Sequence, residues 1–215
     1  MARTPTGTIT SVATTLATAK TITAISNAAQ AVCSSVAHGY ATNDIVLVYS
    51  SWGKLNYRAF KVGAVTADTF VLVDADTTNT SFYSPGGGAG TAQKVTAWVD
   101  LDRTMSHSSS GGDPKNITVK FVESDVETII PDGFTAVTRT FEMDADMIGT
   151  PGYAALKTLS ANQTATIIKR RAKTGAFSLI PGTVAFNEEE VESEGQIVKV
   201  KGAINGQNIS TRYAA

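Results

Sequence analysis

The feature that most constrains this chain is a two-residue period. Across residues 135–147, Phe141, Met143, Ala145 and Met147 fall on one side of an extended backbone and Glu142, Asp144 and Asp146 on the other, because successive side chains of a strand point to opposite faces. One face is therefore expected in a core and the other in water. Elsewhere the apolar residues come in short runs, at 31–36, 45–49, 57–62 and 69–73, separated by turn residues such as His38-Gly39, Asn43-Asp44 and Ala67-Asp68, again the pattern of strands and tight turns. Composition agrees: only 17% of residues are charged, and Thr and Ser fill much of the polar share. Thr and Val, branched at Cβ, lose rotamer freedom in a helix but pack well on a pleated surface. One helix is expected, where Thr150 can cap, Pro151 can take the first helical position, and Ala155, Leu156 and Leu159 recur at helical spacing up to Asn162.

The chain divides into three parts. Residues 1–21 read as an N-terminal arm or strand, in which Thr8-Ile9-Thr10-Ser11-Val12 alternates; residues 22–93 read as a small β module. Ser84-Pro85-Gly86-Gly87-Gly88-Ala89-Gly90 reads as a flexible boundary. Residues 94–215 read as a larger module. It opens with a strand at 94–102, then a polar loop at 105–116, then a long strand at 116–130 extending as a hairpin arm, with Pro131-Asp132-Gly133 as its turn. After the helix, strands are expected at 164–171, 176–186, 196–204 and 208–212, with bends at Gly182, Gly195 and Gly202. The order predicts a mainly β fold, a sandwich or barrel with one helix on its side, plus the small additional β domain.

A formal net charge of −1 argues against wrapping nucleic acid, which needs a basic excess. The lone Cys33 excludes an intramolecular disulfide and reads as an apolar filler. The N-terminal residues lack the apolar core of a signal peptide, and no apolar run reaches membrane-spanning length. Synthesis in the cytosol is expected, with no membrane partner.

Catalytic chemistry is hard to place. His107 lies in the Ser-rich loop without a group to orient it, and His38 sits at a turn. Glu142, Asp144 and Asp146 are spaced ~7 Å per two residues on a strand, too far apart to share one ion. Glu188, Glu190, Glu192 and Glu194 repeat at every second position, which a plain solvated strand gains nothing from; they read as serving a surface, or as an acidic edge that resists aggregation. Lys169, Arg170, Arg171 and Lys173 form the basic cluster, without aromatic residues for nucleic acid, and read as pairing with acidic groups of a neighbouring subunit. Gly86 to Gly90 lacks the Lys-Ser/Thr of a phosphate loop. No catalytic residue, metal site or cofactor is expected.

The wording of Ile22-Thr-Ala-Ile-Ser-Asn-Ala, Ala37-His-Gly-Tyr-Ala-Thr-Asn-Asp-Ile-Val and Leu55-Asn-Tyr-Arg-Ala-Phe-Lys-Val resembles a small β-barrel repeat of phage virion proteins, named after a half-domain of ubiquitin-activating enzymes. The larger module, with a long hairpin followed by Gly152-Tyr-Ala-Ala-Leu-Lys-Thr-Leu and the closing strands Phe177-Ser-Leu-Ile-Pro-Gly-Thr-Val and Ile197-Val-Lys-Val-Lys-Gly-Ala-Ile, resembles the major tail tube proteins of long-tailed, non-contractile phages. The resemblance implies stacked hexameric rings in a virion tail, partners such as tape measure, terminator and tip proteins, and transient passage of DNA. An acidic lumen would repel phosphates, so Glu142, Asp144 and Asp146, or Glu188, Glu190, Glu192 and Glu194, are the lumen candidates. Arg3, Thr8 and Ile9 of the arm, Met105, His107 and Asp113 of the loop, and the cluster Lys169, Arg170, Arg171 and Lys173 are the inter-subunit candidates. The competing reading is a tail-tip or fibre protein that grips a surface glycan through Trp52, Tyr57, Phe82 and Tyr83.

Overall fold

A computed structural model of the protein describes residue 4 and residues 6–215. The chain begins with β1 (Ile9–Leu16), β2 (Lys20–Ile22), β3 (Ala24–Ile25), β4 (Val32–Ser34), β5 (Ile45–Ser50), β6 (Arg58–Val65) and β7 (Thr69–Leu72). It continues with β8 (Gly90–Leu101), β9 (Thr104–Ser110), β10 (Pro114–Val119), β11 (Thr128–Phe134) and β12 (Thr138–Asp144). A 3-10 turn, Ala145–Met147, precedes helix α1 (Pro151–Asn162), and β13 (Ala165–Arg171), β14 (Phe177–Val191), β15 (Lys199–Gly206) and β16 (Thr211–Tyr213) close the chain.

The first module runs in the order β3-β4-β7-β6-β5-β8, and β2 pairs the other edge of β8. Since β2 and β3 are consecutive across Thr23, the path closes on itself as a small barrel. Its core gathers Val46, Val48, Phe60, Val62, Phe70 and Leu72. Cys33 lies inside it, and burial pushes the thiol up to about 12, which leaves it protonated and inert. His38 is also interior: Nδ1 accepts from the Tyr40 N–H at 2.9 Å, so the proton sits on Nε2, which lies 3.1 Å from the Thr66 carbonyl.

The larger module packs β8-β1-β13-β14-β15-β12-β9 around Phe141, Met143, Leu156, Ile168, Ile180 and Ile204, with α1 on its side. The helix starts as its sequence dictates: the Thr150 hydroxyl accepts from the Tyr153 N–H, Pro151 follows at the first position, and Tyr153, Leu156 and Leu159 are buried. Phe141 stands opposite Gly202 and its ring covers that glycine, leaving no room for a Cβ there.

Three local expectations change. Residues 105–110 are not loop but most of β9, whose backbone pairs with β12 in a register that sets Ser110 beside Thr138 and Ser108 beside Thr140. Serines carry no alternation of hydropathy, so an edge strand built from them is silent to a periodicity argument. The long strand at 116–130 is two strands, and the chain reverses within residues 120–127. Pro131, Asp132 and Gly133 lie inside β11, where a proline is tolerated because a two-stranded ribbon leaves one edge unpaired. The glycine segment is no tether: Gly87 and Gly88 lie against the Trp52 indole, which a Cβ at either would strike. The strand expected around residues 8–12 is β1, which lies between β8 and β13 with Thr10, Ser11, Val12 and Ala13 buried.

The modules meet without a linker. β8 pairs with β5 up to Lys94 and with β1 from Val95. A third cluster joins Ile45, Leu47 and Ala59 of the barrel to Ile167, Leu179 and Tyr213 of the larger module.

Candidate assembly surfaces

The outward face of β9, β12, β15 and β14 is assembled in rows. Cross-strand register aligns Ser108, Thr140, Ala203 and Ala185 in one row and Met105, Glu142, Lys201 and Asn187 in the next. Apart from Met105 these side chains are small or polar, and the carboxylates of β12 are paired. Lys199 Nζ lies 2.9 Å from Glu142, and Arg103 lies 3.1 Å from Asp144. Hydrogen bonds from Lys199 and Ser106 hold the Glu142 carboxyl below its usual range. Asp146 sits in the 3-10 turn and donates its backbone N–H to Asp144. The acidic stripe seen in the sequence is thus, on β12, a set of ion pairs.

The second glutamate series behaves differently. Glu188 is tied to Lys157 at 3.0 Å and to the Tyr153 hydroxyl at 3.1 Å, which draws its carboxyl down. Glu189 and Glu190 follow on the exposed end of β14, and Glu192 and Glu194 lie in the turn that leads to β15. None of these four carboxylates has an ion pair among the described residues. The turn is a protruding acidic tip.

At the other end of the same strands the sandwich opens into a cavity of about 480 Å³ lined by Arg139, Arg170, Arg212, Thr8, Phe177 and Tyr213, among others. Arg139 extends from the core face of β12, two residues before Phe141, and Arg170 from the face of β13 that carries Ile168. Strand alternation therefore divides the basic cluster. Arg170 enters the cavity, whereas Lys169 turns the other way, 4.2 Å over the Trp98 ring. Arg171 ends β13 exposed, and Lys173 packs its stem against Gly7. Burial, Arg170 and Arg212 together pull the Arg139 guanidinium down, and its Nε and Nη1 are buried without a hydrogen-bond partner among the described residues. His107 sits beside this mouth, tilted 6.1 Å from the Phe141 ring, with Nε2 3.1 Å from the Thr104 hydroxyl. Burial and the nearby Arg170 and Arg139 lower its pKa.

The third surface is the β10–β11 hairpin, which forms a two-stranded sheet of its own. At its base the Thr135 N–H donates to the Asp113 carbonyl at 3.0 Å, and the Asp113 N–H donates to the Thr135 hydroxyl at 3.1 Å. Its apolar side chains are exposed, including Phe121 (59%), Ile129 (64%) and Phe134 (62%), with Val122 fully so. Sequence reasoning overlooked Arg139 and Arg212, because single arginines on separate strands give no cluster until the sheet brings them together. Ile9 is exposed at the start of β1, and Arg3 lies outside the described residues.

The glycan platform is not assembled. Trp52 and Tyr83 pack edge to face at 5.2 Å in the barrel interior, and Tyr57 packs on Tyr49. Of the four aromatics only Phe82 is exposed, beneath Lys54. Among the described residues no group of histidine, cysteine and carboxylate side chains could hold a metal, and no helix is long and apolar enough to cross a membrane.

The described surface thus combines a cavity lined by arginines, an exposed glutamate tip and a hairpin with exposed apolar side chains. A family model for the phage tail tube protein (TTP) matches residues 50–215, and the chain belongs to that family. It is a structural, non-enzymatic component of the phage virion tail, a subunit that self-assembles into a tube with other tail components. No curated protein matches the chain.

Proposed function

We propose that the subunit, made in the cytoplasm of a bacterial host, forms stacked six-membered rings of a long-tailed, non-contractile phage tail, and that the channel conducts DNA during ejection. The β10–β11 hairpin carries this reading: an isolated two-stranded ribbon with exposed apolar faces is marginal in water, and other copies would cover Ile117, Phe121, Ile129 and Phe134. The larger module with β1 would build the ring. Residues 22–93, of the kind named after the ubiquitin-activating half-domain, would project outward. Tape measure, terminator and tip proteins would meet the tube at its inside and its ends.

The polar face of β9, β12, β15 and β14 would line the channel, with Glu142, Asp144 and Asp146 at its wall. Rows of Ser, Thr and Ala carry no charge, and Lys199 and Arg103 are each paired with a carboxylate. Such a wall adds no net attraction for a passing polyanion. Glu142→Gln with Asp144→Asn would release Lys199, Lys201 and Arg103 into the channel. Tubes should still form, while DNA release from purified virions, followed with a fluorescent dye, should slow several-fold. Unchanged release would remove the channel assignment.

A further inference from the structure

We propose that two exposed isoleucines at one end of the sheet, Ile148 and Ile197, seat in a groove at the opposite end of a second copy, between its hairpin and its barrel. The inference rests on the stacked-ring reading above and names the contact between rings.

Strand register sets the two surfaces apart. β12 and β15 pair from Thr138–Asn205 at one end to Asp144–Lys199 at the other. Just outside the Asp144–Lys199 end stand Ile148, 71% exposed, and Ile197, 57% exposed. Their two segments are tied where the Ala145 N–H donates to the Val198 carbonyl at 3.1 Å. Outside the Thr138–Asn205 end lies a groove of about 670 Å³, lined by Lys54, Phe82, Pro131, Phe134, Gln207 and Ile209, among others. One of its walls is the hairpin, which leaves the sheet at this same end, between Ser110 and Thr138. The facing walls are held by hydrogen bonds: the Gly206 N–H donates to the Val137 carbonyl at 2.7 Å, the Gln207 N–H to the Pro181 carbonyl at 3.0 Å, and the Asn208 amide to the Asn56 carbonyl at 2.7 Å. A knob and a groove at opposite ends of one subunit meet head to tail, and such heterologous contacts continue as an open stack.

The two surfaces also match in chemistry. Phe82, Phe134 and Ile209 are exposed in the groove, as Ile148 and Ile197 are on the knob, and seating one in the other takes all five out of water. Asp146, Glu192 and Glu194 flank the knob, exposed and without an ion pair among the described residues. The groove lining contains no Asp or Glu, and its Lys54 ammonium stands 3.3 Å over the Phe82 ring. Asp132, on the hairpin wall, is engaged with Lys115. An acid-flanked knob thus meets a groove that offers a cation and no opposing carboxylate. The hairpin turn, with Phe121, Val122, Glu123 and Asp125, has similar chemistry. It springs from the groove's own end, however, and a copy stacked head to tail presents the isoleucine end instead.

Substitutions at exposed positions test the contact without disturbing the core. Ile148→Ser/Ile197→Ser and, separately, Lys54→Glu should keep the circular dichroism and melting curve of the subunit. The serine pair should cut the yield of tubes at least tenfold, scored by sedimentation and negative-stain electron microscopy of purified chain, and by tails formed in complementation of a phage lacking the gene. Lys54→Glu should lower it several-fold, and Asp146→Lys/Glu194→Lys in the same chain should restore it. Crosslinking reads the contact directly: tubes of a chain with Ile197→Cys and Ile209→Cys, treated with a short bismaleimide, should give a ladder of covalent multimers that either single variant lacks. Within one chain these positions flank the 8 residues of β15, roughly 25 Å of extended strand, so the ladder reports copies joined end to end. Unchanged yield from the serine pair, no charge restoration, or no ladder overturns the inference. So does a ladder from Val122→Cys with Ile209→Cys in its place, because the occupant is then the hairpin. If the unaltered chain forms no polymer in either assay, the ring reading itself fails; if it forms tubes and the serine pair forms as many, only this contact fails.

Discussion

The Tyr213 hydroxyl is one of the ties between the two modules. It accepts from the Lys61 N–H at 2.9 Å and donates to the Val73 carbonyl at 3.2 Å, linking β16 to the barrel. Tyr213→Phe leaves a buried donor and acceptor unmet and should lower unfolding free energy by about 1–3 kcal/mol in a denaturant titration. Burial pushes the Tyr213 phenol up to about 12, as it does for Tyr40 and Tyr49. A raised folded value means the unfolded chain loses these protons first, so stability should be constant below about pH 10 and fall as pH rises towards 12. His107 works in the acid direction. Its folded pKa lies below the ordinary histidine value of 6.5, so the unfolded chain binds the proton more tightly and stability should be lost as pH falls from 6.5. His107→Gln should flatten that part of the melting-temperature profile; an unaltered slope would show that another group carries it.

At the scale of elements, the hairpin and the sheet behave as separate units. Every residue of β11 is exposed, and β10 is nearly so, so the ribbon adds little to the core. Replacing residues 114–134 with a short Gly-Ser turn should leave the melting temperature of the subunit within a few degrees and abolish its polymerisation. A large loss of stability would instead place the ribbon in the fold. Gly202 illustrates the opposite dependence. A Cβ there would strike the Phe141 ring, so Gly202→Ala must displace a buried aromatic and should cost about 1–3 kcal/mol, as overpacked cores do. Helix α1 was legible because its signals are local: a capping hydroxyl, a proline and three apolar side chains within one short stretch. β9 was not, because Ser-His-Ser-Ser-Ser reads as loop until β12 lies beside it and supplies the ladder.

For the whole molecule, the shared strand β8 matters more than any boundary. Because β8 pairs with β5 at one end and β1 at the other, and the cluster around Leu47, Ile167 and Tyr213 fills the angle between modules, the barrel is docked and not tethered. Excising residues 22–89 should therefore expose Ala13, Ile167 and Leu179 and yield an insoluble or strongly destabilised remainder; a soluble remainder with an unchanged melting temperature would show the docking to be dispensable. The sequence by itself determined what depends on near neighbours: the two-residue period that makes the chain β, the helix with its cap, and the run of glutamates. Only the tertiary structure decided which charges come together. Lys199 answers Glu142 across a strand pair, while Arg139, Arg170 and Arg212 converge from three strands distant in sequence into one mouth. Coulombic energy depends on separation in space, and strand pairing sets that separation between residues far apart along the chain.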